Sequence, residues 1–290
     1  MALHVALTFD DNFWAPAYVV MRSICISTSQ RRQVVFHLLH MPLSAQHRAD
    51  LETITTEFGA ALIFYPLSDM PQFAALAAKL PQHQRWPSIV YARLLLPRLL
   101  PPAVDRVVYL DCDMMVRAPI EELYDIDLGG HPIGAVRDAL SPFIPLRRDM
   151  VEKRDLFDGA EPYFNSGMLV IDLAQWRAFD FEAQINALAA RIDLNQLYFD
   201  QDLLNFLFQR RWQELPWRWN TIDAHRAHEA LNPAILHYTS TSKPWHLLAG
   251  VFHSTAYARW YRHVMTNALF YRFAAHRRRR WLRRLLRLER

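Results

Sequence analysis

The chain has 290 residues, of which 52% are hydrophobic, and a formal net charge of +4 at pH 7. A chain of this length and composition can bury a sizeable core, and we expect one main domain. Its two cysteines, Cys25 and Cys112, have the spacing of neither a disulfide framework nor a cysteine metal site, which suits a reducing cytosol. Charged or polar residues interrupt every apolar stretch, so we expect neither a signal peptide nor a membrane-spanning helix.

The positive charge is concentrated at the C-terminal end. Eight Arg and one Glu lie in Arg277–Arg290, so this segment carries +7 and the preceding 276 residues carry −3. Trp281, Leu285 and Leu288 recur at helical spacing among these arginines, which predicts a basic amphipathic helix. Such a helix favours an anionic membrane surface. A solvated or packing helix is the plainer alternative, and no nucleic acid is expected as a partner because no nucleic-acid module is recognisable.

The first part of the chain alternates predicted strands and helices. We predict strands at Val5–Phe9, Val34–Leu39 and Ala61–Tyr65. Pro16 opens the helix after the first strand, and a second helix begins near Ser44 and ends at Gly59. This β-α-β-α-β order implies a parallel sheet with right-handed crossovers. The glycine signatures of phosphate-binding loops are absent from the sequence, so phosphates must be held in another way.

The rest of the chain continues the same alternation. The further predicted elements are a helix at Ile89–Leu96, strands at Val107–Leu110, Ile133–Val136 and Met168–Asp172, helices at Phe181–Ile192 and Tyr198–Phe208, and a strand at Ala234–His237. Polar residues stand at several strand ends and helix starts, where a site assembled from distant segments would draw them. Taken singly, each has an ordinary explanation as a cap, a turn residue or a core histidine.

Asp111 and Asp113 are the most informative of these polar residues. They follow the apolar run Val107–Leu110, and strand residues two apart point the same way, so both carboxylates can reach one divalent ion. The carboxyl end of a strand is also where an open α/β sheet binds ligands. For an isolated Asp-x-Asp the alternative is a solvated turn after a core strand, so the other motifs must decide.

Several motifs, taken in order, resemble glycosyltransferase family 8, and most of all the bacterial lipopolysaccharide galactosyl- and glucosyltransferases. The matching segments, between about Val5 and Trp245, are Phe9-Asp10-Asp11-Asn12, Tyr91-Ala92-Arg93, Tyr109-Leu110-Asp111-Cys112-Asp113, Tyr163-Phe164-Asn165-Ser166-Gly167, Asp200-Gln201-Asp202, His237-Tyr238 and Lys243-Pro244-Trp245. Linked motifs are far more specific than any single one. The resemblance implies an α/β fold of GT-A type, with a Rossmann-like, mixed, mainly parallel sheet flanked by helices. We expect this domain over residues 1–250 and a C-terminal helical region over residues 251–290.

The resemblance also implies a retaining, UDP-sugar-dependent hexosyltransferase that uses Mn²⁺, with Mg²⁺ as a weaker substitute. It would move galactose or glucose to a glycan or glycolipid acceptor such as lipopolysaccharide core. By motif, Asp111, Asp113 and His237 resemble the metal ligands, and carboxylate with imidazole suits Mn²⁺. The ion would neutralise the UDP leaving group. Lys243 resembles the residue that adds a positive charge to the same diphosphate.

The remaining donor-binding residues also follow from the motifs. Thr8, Asp10 and Asn12 resemble the rim that binds uridine and ribose. The residues that correspond to the surroundings of the donor sugar are Arg93, Asp138, Asn165, Asp200 and Gln201, and we expect Gln201, Asp200 and Asp138 to be catalytic. Gln201 is a poor nucleophile, so the family's same-face substitution is expected in place of the two-carboxylate double displacement. In that route Gln201 supports the oxocarbenium-like centre and Asp200 holds the sugar.

Ser240 departs from the family pattern, which has glycine at this position. Glycine would let the backbone approach the phosphate closely or adopt a positive φ, and serine permits either less easily. Ser240 can offer a hydroxyl to the donor instead, and weakened donor binding is the alternative.

Two other functions are compatible with the same residues. A nucleotide-sugar hydrolase or phosphotransferase could use the same metal and rim. A non-enzymatic, membrane-associated binding module would use Asp111, Asp113 and His237 for structure only. For the glycosyltransferase and for both alternatives, we expect a cytoplasmic protein that is peripheral on the cytoplasmic face of the inner membrane through Arg277–Arg290.

Overall fold

The computed structural model describes residues 2–81, 88–138, 162–197, 199–246, 249 and 257–286. The described strands are β1 Leu3–Phe9, β2 Val34–His40, β3 Ala61–Pro66, β4 Arg106–Leu110, β5 Met114–Val116, β6 Ile133–Arg137, β7 Phe164–Asp172, β8 Trp212–Glu214, β9 Thr221–Ile222 and β10 Ile235–His237. The described α-helices are α1 Trp14–Ser27, α2 Ala45–Phe58, α3 Pro71–Lys79, α4 Leu96–Leu99, α5 Ile120–Tyr124, α6 Leu173–Ala178, α7 Phe181–Ala189, α8 Phe199–Leu207, α9 Ala258–Met265 and α10 Asn267–Leu285.

The main sheet has seven strands in the order β3-β2-β1-β4-β7-β6-β8. Strands β3, β2, β1 and β4 are parallel, whereas β7 runs antiparallel to both β4 and β6. A second, three-stranded sheet has the order β5-β10-β9. The predicted α/β fold with a mixed, mainly parallel sheet is therefore confirmed.

The main sheet is covered on both faces. Alternate residues of β1 enter two different hydrophobic clusters, with Val5 and Leu7 in one and Ala6 in the other. The first cluster joins the sheet to α1, α2, α9 and α10, and the second joins it to α6, α7 and α8. Burial on both faces explains the continuous apolar run Val5–Leu7 in the middle of β1, because neither set of alternating side chains meets water there.

The predicted ends of α2 are confirmed. The Ser44 side chain accepts a hydrogen bond from the His47 backbone N–H and caps the helix. Gly59 ends the helix with φ of 74°, a left-handed conformation that costs glycine little.

Other predicted boundaries differ from the structure. The segment Ser88–Leu95 is a 3₁₀ helix, and Pro97 stands in the first turn of the short helix α4, where its missing N–H costs no intrahelical hydrogen bond. The prediction of one α-helix at Ile89–Leu96 is therefore wrong in helix type. Helix α1 begins two residues before Pro16, and α7 ends at Ala189. Tyr198, the predicted start of α8, lies outside the described residues.

The predicted C-terminal helix is present as the second half of α10, which runs to Leu285. The Trp281 and Leu285 side chains are 61% and 63% exposed. Residues 287–290, including Leu288, lie outside the described part of the chain. Within the described residues, no helix combines the length and the apolar character needed to cross a bilayer.

Candidate active site

The site forms where the start of β7 meets the end of β4. The register between β6 and β7 shifts, so that Ala135 pairs with Leu169 but Val136 pairs with Asn165. Such a bulge releases residues from the ladder and redirects their side chains. Beside this irregularity, the Asp111 backbone N–H donates to the Gly167 carbonyl oxygen at 2.8 Å. The motif around Asn165 is thereby placed next to the carboxylate pair.

The small sheet adds His237 to this point. Strand β10 runs antiparallel to β5 with His237 opposite Met114, and the Tyr238 N–H donates to the Asp113 carbonyl oxygen at 2.9 Å. As a result, one ligand-type atom from each of Asp111, Asp113 and His237 lies within 4.8 Å of the others. We call these three residues the carboxylate–histidine cluster.

Gly167 leaves the space that this cluster occupies. A Cβ atom at this position would lie 2.5 Å from His237 Cε1 and 2.9 Å from Asp111 Oδ2. Contacts this short are not tolerated in packed structures. Two carboxylates and an imidazole around such a space form a donor set suited to Mn²⁺. The residues present therefore fit the divalent ion that the sequence implies.

Asn220 fixes the orientation of the His237 ring. Its side-chain nitrogen donates to Asn165 Oδ1 at 2.9 Å, so its oxygen must accept from His237 Nδ1, also at 2.9 Å. The proton on Nδ1 leaves Nε2 facing Asp113 Oδ1 at 3.2 Å. A neutral histidine held in this way presents the Nε2 lone pair to a metal.

Charges inside the cluster compensate for its burial. Burial alone would raise the pKa of Asp113, but His237 and Lys243, whose Nζ lies 2.9 Å from Asp113 Oδ2, hold this pKa below its ordinary value. Burial alone would lower the pKa of His237, whereas the attraction of Asp113 raises it above its usual range. A cation bound here would take over the role of the proton on His237 Nε2.

Arg93 connects the cluster to a second buried carboxylate. Its guanidinium lies 2.9 Å from Asp111 Oδ1 and 3.1 Å from Asp200 Oδ2, and it donates to the Ser166 carbonyl oxygen at 2.6 Å. Burial raises the pKa of Asp200 to about 6, and the nearby positive charge of Arg93 opposes part of that rise. Arg93 is 3% exposed, and its predicted contact with a donor sugar stays a prediction.

Gln201 is held from both ends of its amide. The nitrogen donates to Asp138 Oδ2 at 3.0 Å. The oxygen accepts from the Ser166 N–H at 3.1 Å and from the Asn165 side chain at 3.2 Å. The predicted residues Asp138, Asn165 and Gln201 thus lie in one hydrogen-bonded network, next to Asp200.

The predicted nucleoside rim begins with Thr8 in β1 and continues into the loop after this strand. Thr8 Oγ1 lies 2.8 Å from the Tyr109 hydroxyl, which donates to Asp111 Oδ1, also at 2.8 Å. Asp10 accepts from the backbone N–H and the side-chain nitrogen of Asn12, each at 2.9 Å. The rim is therefore joined to the carboxylate–histidine cluster through a single tyrosine.

Ser240 lies in an exposed loop. Its N–H donates to Asp223 Oδ1 and its hydroxyl to the Ser242 carbonyl oxygen, each at 3.1 Å. Among the described residues of this loop and the turn that supports it, the positive φ belongs to Asp223, at 43°, and not to Ser240. Lys243 also donates to the Tyr238 carbonyl oxygen. Serine is therefore accommodated here without left-handed backbone strain.

Three residues that organise the site have no role assigned from the sequence. Tyr109 and Ser166 lie inside the matching motifs, but the motifs assign them no role in metal or donor binding. Asn220 carries no local signal, because it follows an aromatic stretch at the end of the 3₁₀ helix Trp217–Asn220 and meets His237 only after β9 and β10 pair.

The model of the family described as glycosyl transferase family 8 matches residues 4–249. The chain belongs to glycosyltransferase family 8. This glycosyltransferase is 26% identical over 283 residues to General stress protein A of Bacillus subtilis (strain 168), covering 89% of this chain and 94% of that protein. It is also 26% identical over 257 residues to a lipopolysaccharide 1,2-glucosyltransferase of Escherichia coli, covering 84% of this chain and 73% of that protein.

The fold of this glycosyltransferase is also that of a solved relative. The galactosyltransferase LgtC, crystallised with donor and acceptor sugar analogues, aligns with a TM-score of 0.69 over 91% of this chain and 95% of its own, at 24% identity. The predicted family and GT-A fold are confirmed. Helices α9 and α10 lie beyond the residues that the family model matches.

Proposed function

We propose that the protein is a retaining hexosyltransferase that moves galactose or glucose from a UDP-sugar to a glycan or glycolipid acceptor such as lipopolysaccharide core. The observation that carries this proposal is the convergence of the carboxylate–histidine cluster with the network around Gln201. The printed names of two relatives, a lipopolysaccharide 1,2-glucosyltransferase and a galactosyltransferase, support the choice of sugar and acceptor.

Asp111, Asp113 and His237 would hold Mn²⁺, with Mg²⁺ as a weaker substitute. A bound divalent ion supplies positive charge that stabilises a diphosphate leaving group. Lys243, which contacts Asp113, adds a second positive charge for the same diphosphate. Thr8, Asp10 and Asn12 bind uridine and ribose, and the Ser240 hydroxyl exchanges its hydrogen bond to the Ser242 carbonyl oxygen for one to the donor.

Asp138, Asn165, Asp200 and Arg93 surround the donor sugar and orient it. Gln201 Oε1 already accepts two hydrogen bonds, which makes this weak nucleophile still less suited to forming a covalent intermediate. This supports a same-face substitution. The acceptor oxygen forms its bond to the anomeric carbon on the side from which the phosphate oxygen departs, and the acceptor proton passes to that phosphate. Gln201 stabilises the oxocarbenium-like centre. Asp200 holds the sugar, and Asp138 holds the Gln201 amide.

The test removes each carboxylate in turn. Asp111→Ala and Asp113→Ala should abolish Mn²⁺-dependent binding of UDP in calorimetric titration and Mn²⁺-dependent consumption of UDP-galactose or UDP-glucose. Asp105→Ala is the matched control, because Asp105 is an exposed carboxylate just before the opposite end of β4. Activity that survives EDTA in either cluster variant would exclude the metal role.

The same assay separates the alternatives. A hexosyltransferase requires an extracted lipid-linked or lipopolysaccharide core acceptor for rapid turnover and gives a product of unchanged anomeric configuration. Rapid release of free sugar without acceptor would indicate a nucleotide-sugar hydrolase. Absence of metal-dependent UDP binding in the unmodified protein would favour a non-enzymatic binding module.

We also propose that Arg277–Arg290 places the enzyme on the anionic, cytoplasmic face of the inner membrane. The exposed Trp281 and Leu285 among the arginines support this. Binding to phosphatidylglycerol-containing vesicles should fall on Trp281→Ala, whereas Trp217→Ala, which truncates an exposed tryptophan elsewhere, should leave it unchanged. Equal binding to purely zwitterionic vesicles would contradict an electrostatic anchor.

A further inference from the structure

Helix α10 packs against the start of α1, immediately after the nucleoside rim. Arg272 donates to Asp50 Oδ1 at 2.6 Å, and Asp50 Oδ2 accepts from the Trp14 indole nitrogen at 3.2 Å. Phe273 packs edge-on against the Trp14 ring at 5.0 Å between centroids. Arg272, acting through Asp50, and Phe273 thus both hold Trp14, the first residue of α1.

His276 completes a group of three rings at this point. Trp14 and His47 are stacked, with centroids 3.5 Å apart and an interplanar angle of 10°. His276 meets Trp14 edge-on at 4.9 Å and His47 at 5.1 Å. We call Trp14, His47 and His276 the ring cluster.

The ring cluster contacts two successive residues of the loop after β1, Asp11 and the rim residue Asn12. His47 Nδ1 lies 2.7 Å from Asp11 Oδ1, which also accepts from the Ser44 N–H. His276 Nε2 lies 3.4 Å from Asn12 Oδ1. Because the Asn12 side-chain nitrogen donates to Asp10, its oxygen is the free acceptor, and His276 must be the donor.

We propose that His276 is a positioning residue for UDP binding, and that docked α10 forms the outer support of the nucleoside rim. The inference rests on the proposed role of Asp10 and Asn12 in binding uridine and ribose. Oriented by His276 at one end and Asp10 at the other, the Asn12 amide is fixed before UDP arrives. A preorganised group binds more tightly because less ordering remains to be done on binding.

The arrangement links UDP binding to the docking of α10. This helix lies beyond residues 4–249, which the family model matches, and it continues into the exposed segment at residues 281–286. If docked α10 raises the affinity for UDP, bound UDP must stabilise docked α10 by the same factor. The C-terminal helix thereby becomes part of the donor site and not an appendage to it.

The first test measures the dissociation constant of UDP at saturating Mn²⁺ by calorimetry in the full chain. His276→Ala should weaken UDP about fivefold, the factor expected for loss of one typical hydrogen bond, with kcat at saturating donor little changed. His276→Gln, whose amide nitrogen can also donate, should recover most of the affinity. Tyr271→Ala is the matched control, because it truncates an exposed aromatic residue of α10 outside the ring cluster. Unchanged UDP affinity in His276→Ala would overturn the inference.

The second test asks whether His276 acts through Asn12. In a double-mutant cycle, His276→Ala should have little effect on UDP affinity once Asn12→Ala is present, and fully additive losses would contradict the inference. Hydrogen exchange of the α10 amides should slow on UDP binding in the unmodified protein but not in His276→Ala. If Asn12→Ala itself leaves UDP affinity unchanged, the proposed rim fails as well; if only His276→Ala has no effect, this inference fails alone.

Discussion

The carboxylate–histidine cluster and the nucleoside rim are two ends of one proposed donor site, but they are supported differently. The cluster lies between paired strands, and both carboxylate oxygens of Asp113 and both ring nitrogens of His237 have a protein partner. The rim runs from Thr8 in β1 into the short loop after this strand, where Asp11 and Asn12 are held by side chains of α2 and α10.

This difference separates two kinds of residue in the same site. In the cluster, strand register sets the positions of the side chains, so displacing one side chain disturbs several hydrogen-bonded partners at once. At the rim, single contacts from the helix side chains His47 and His276 set the geometry, and each can be lost alone. We therefore expect substitutions near the cluster to have large effects and substitutions in the exposed loops to have small ones.

The largest effect is expected for Gly167→Ala. The added Cβ would meet His237 Cε1 at 2.5 Å, so the ring must move away from the carboxylates. A steric cost of about 1 to 3 kcal/mol corresponds to a loss of Mn²⁺ affinity of up to about 100-fold. The affinity is measured by calorimetric titration with Mn²⁺. Gly134→Ala is the control, because the atoms nearest to its Cβ would be the ends of the Leu128 and Leu215 side chains, away from the cluster. Equal Mn²⁺ affinities in both variants would contradict the proposed space for the ion.

Asn220→Ala should have the next largest effect. Its loss removes the acceptor for His237 Nδ1 and the donor to Asn165 Oδ1, which frees the ring to rotate. Loss of such an outer partner typically lowers metal affinity about 10-fold to 100-fold. Asn195→Ala, at an exposed asparagine, should leave Mn²⁺ affinity unchanged. A variant at 220 that binds Mn²⁺ as tightly as the parent would show that strand pairing alone orients His237.

Local sequence rules predicted the parts of the fold and site that depend on neighbours in the chain. The Ser44 cap, the Gly59 helix end and the place of Asp111 and Asp113 directly after a buried strand all follow from local sequence. The expected strand alternation of the two carboxylates was wrong, because residues 111–113 form a turn between β4 and β5, although this turn still brings both carboxylates to His237. The 3₁₀ helix before α4 was not predicted, because the spacing of apolar residues in a short segment does not distinguish a 3₁₀ helix from an α-helix.

Contacts across long sequence separations could not be predicted in the same way. His237 meets Asn220 across 17 positions through the pairing of β9 with β10, and His276 meets Asn12 across 264 positions. The basic helix was predicted only from Arg277 onward, so its periodicity carries no information on His276, one residue earlier in the same helix.

Protonation of Asp200 should lower kcat/KM at acid pH and so form the acid limb of the pH–rate profile. Burial raises its pKa to about 6, so it takes up a proton as the pH falls from 7 to 5 and loses its charge opposite Arg93. If the ionised form is needed to hold the sugar, kcat/KM should fall about tenfold over this range. The profile is measured with Mn²⁺ saturating at every pH. In Asp200→Asn the activity should be lower throughout and this limb should disappear; the same limb in the variant would assign it to another group.

The smallest effect is expected for Ser240→Gly, although glycine is the residue of the family pattern. Glycine would improve donor binding if the backbone at this position needed a positive φ, but the left-handed residue supporting this loop is Asp223, which accepts from the Ser240 N–H and the Thr239 hydroxyl. Exposed substitutions without such strain change free energies by no more than about 0.5 kcal/mol, which is about twofold in UDP affinity. Asp223→Ala removes both hydrogen bonds and should weaken UDP more than Ser240→Gly. Tighter UDP binding by tenfold in Ser240→Gly would mean that this loop must change conformation to reach the diphosphate, because only then does the freedom of glycine matter.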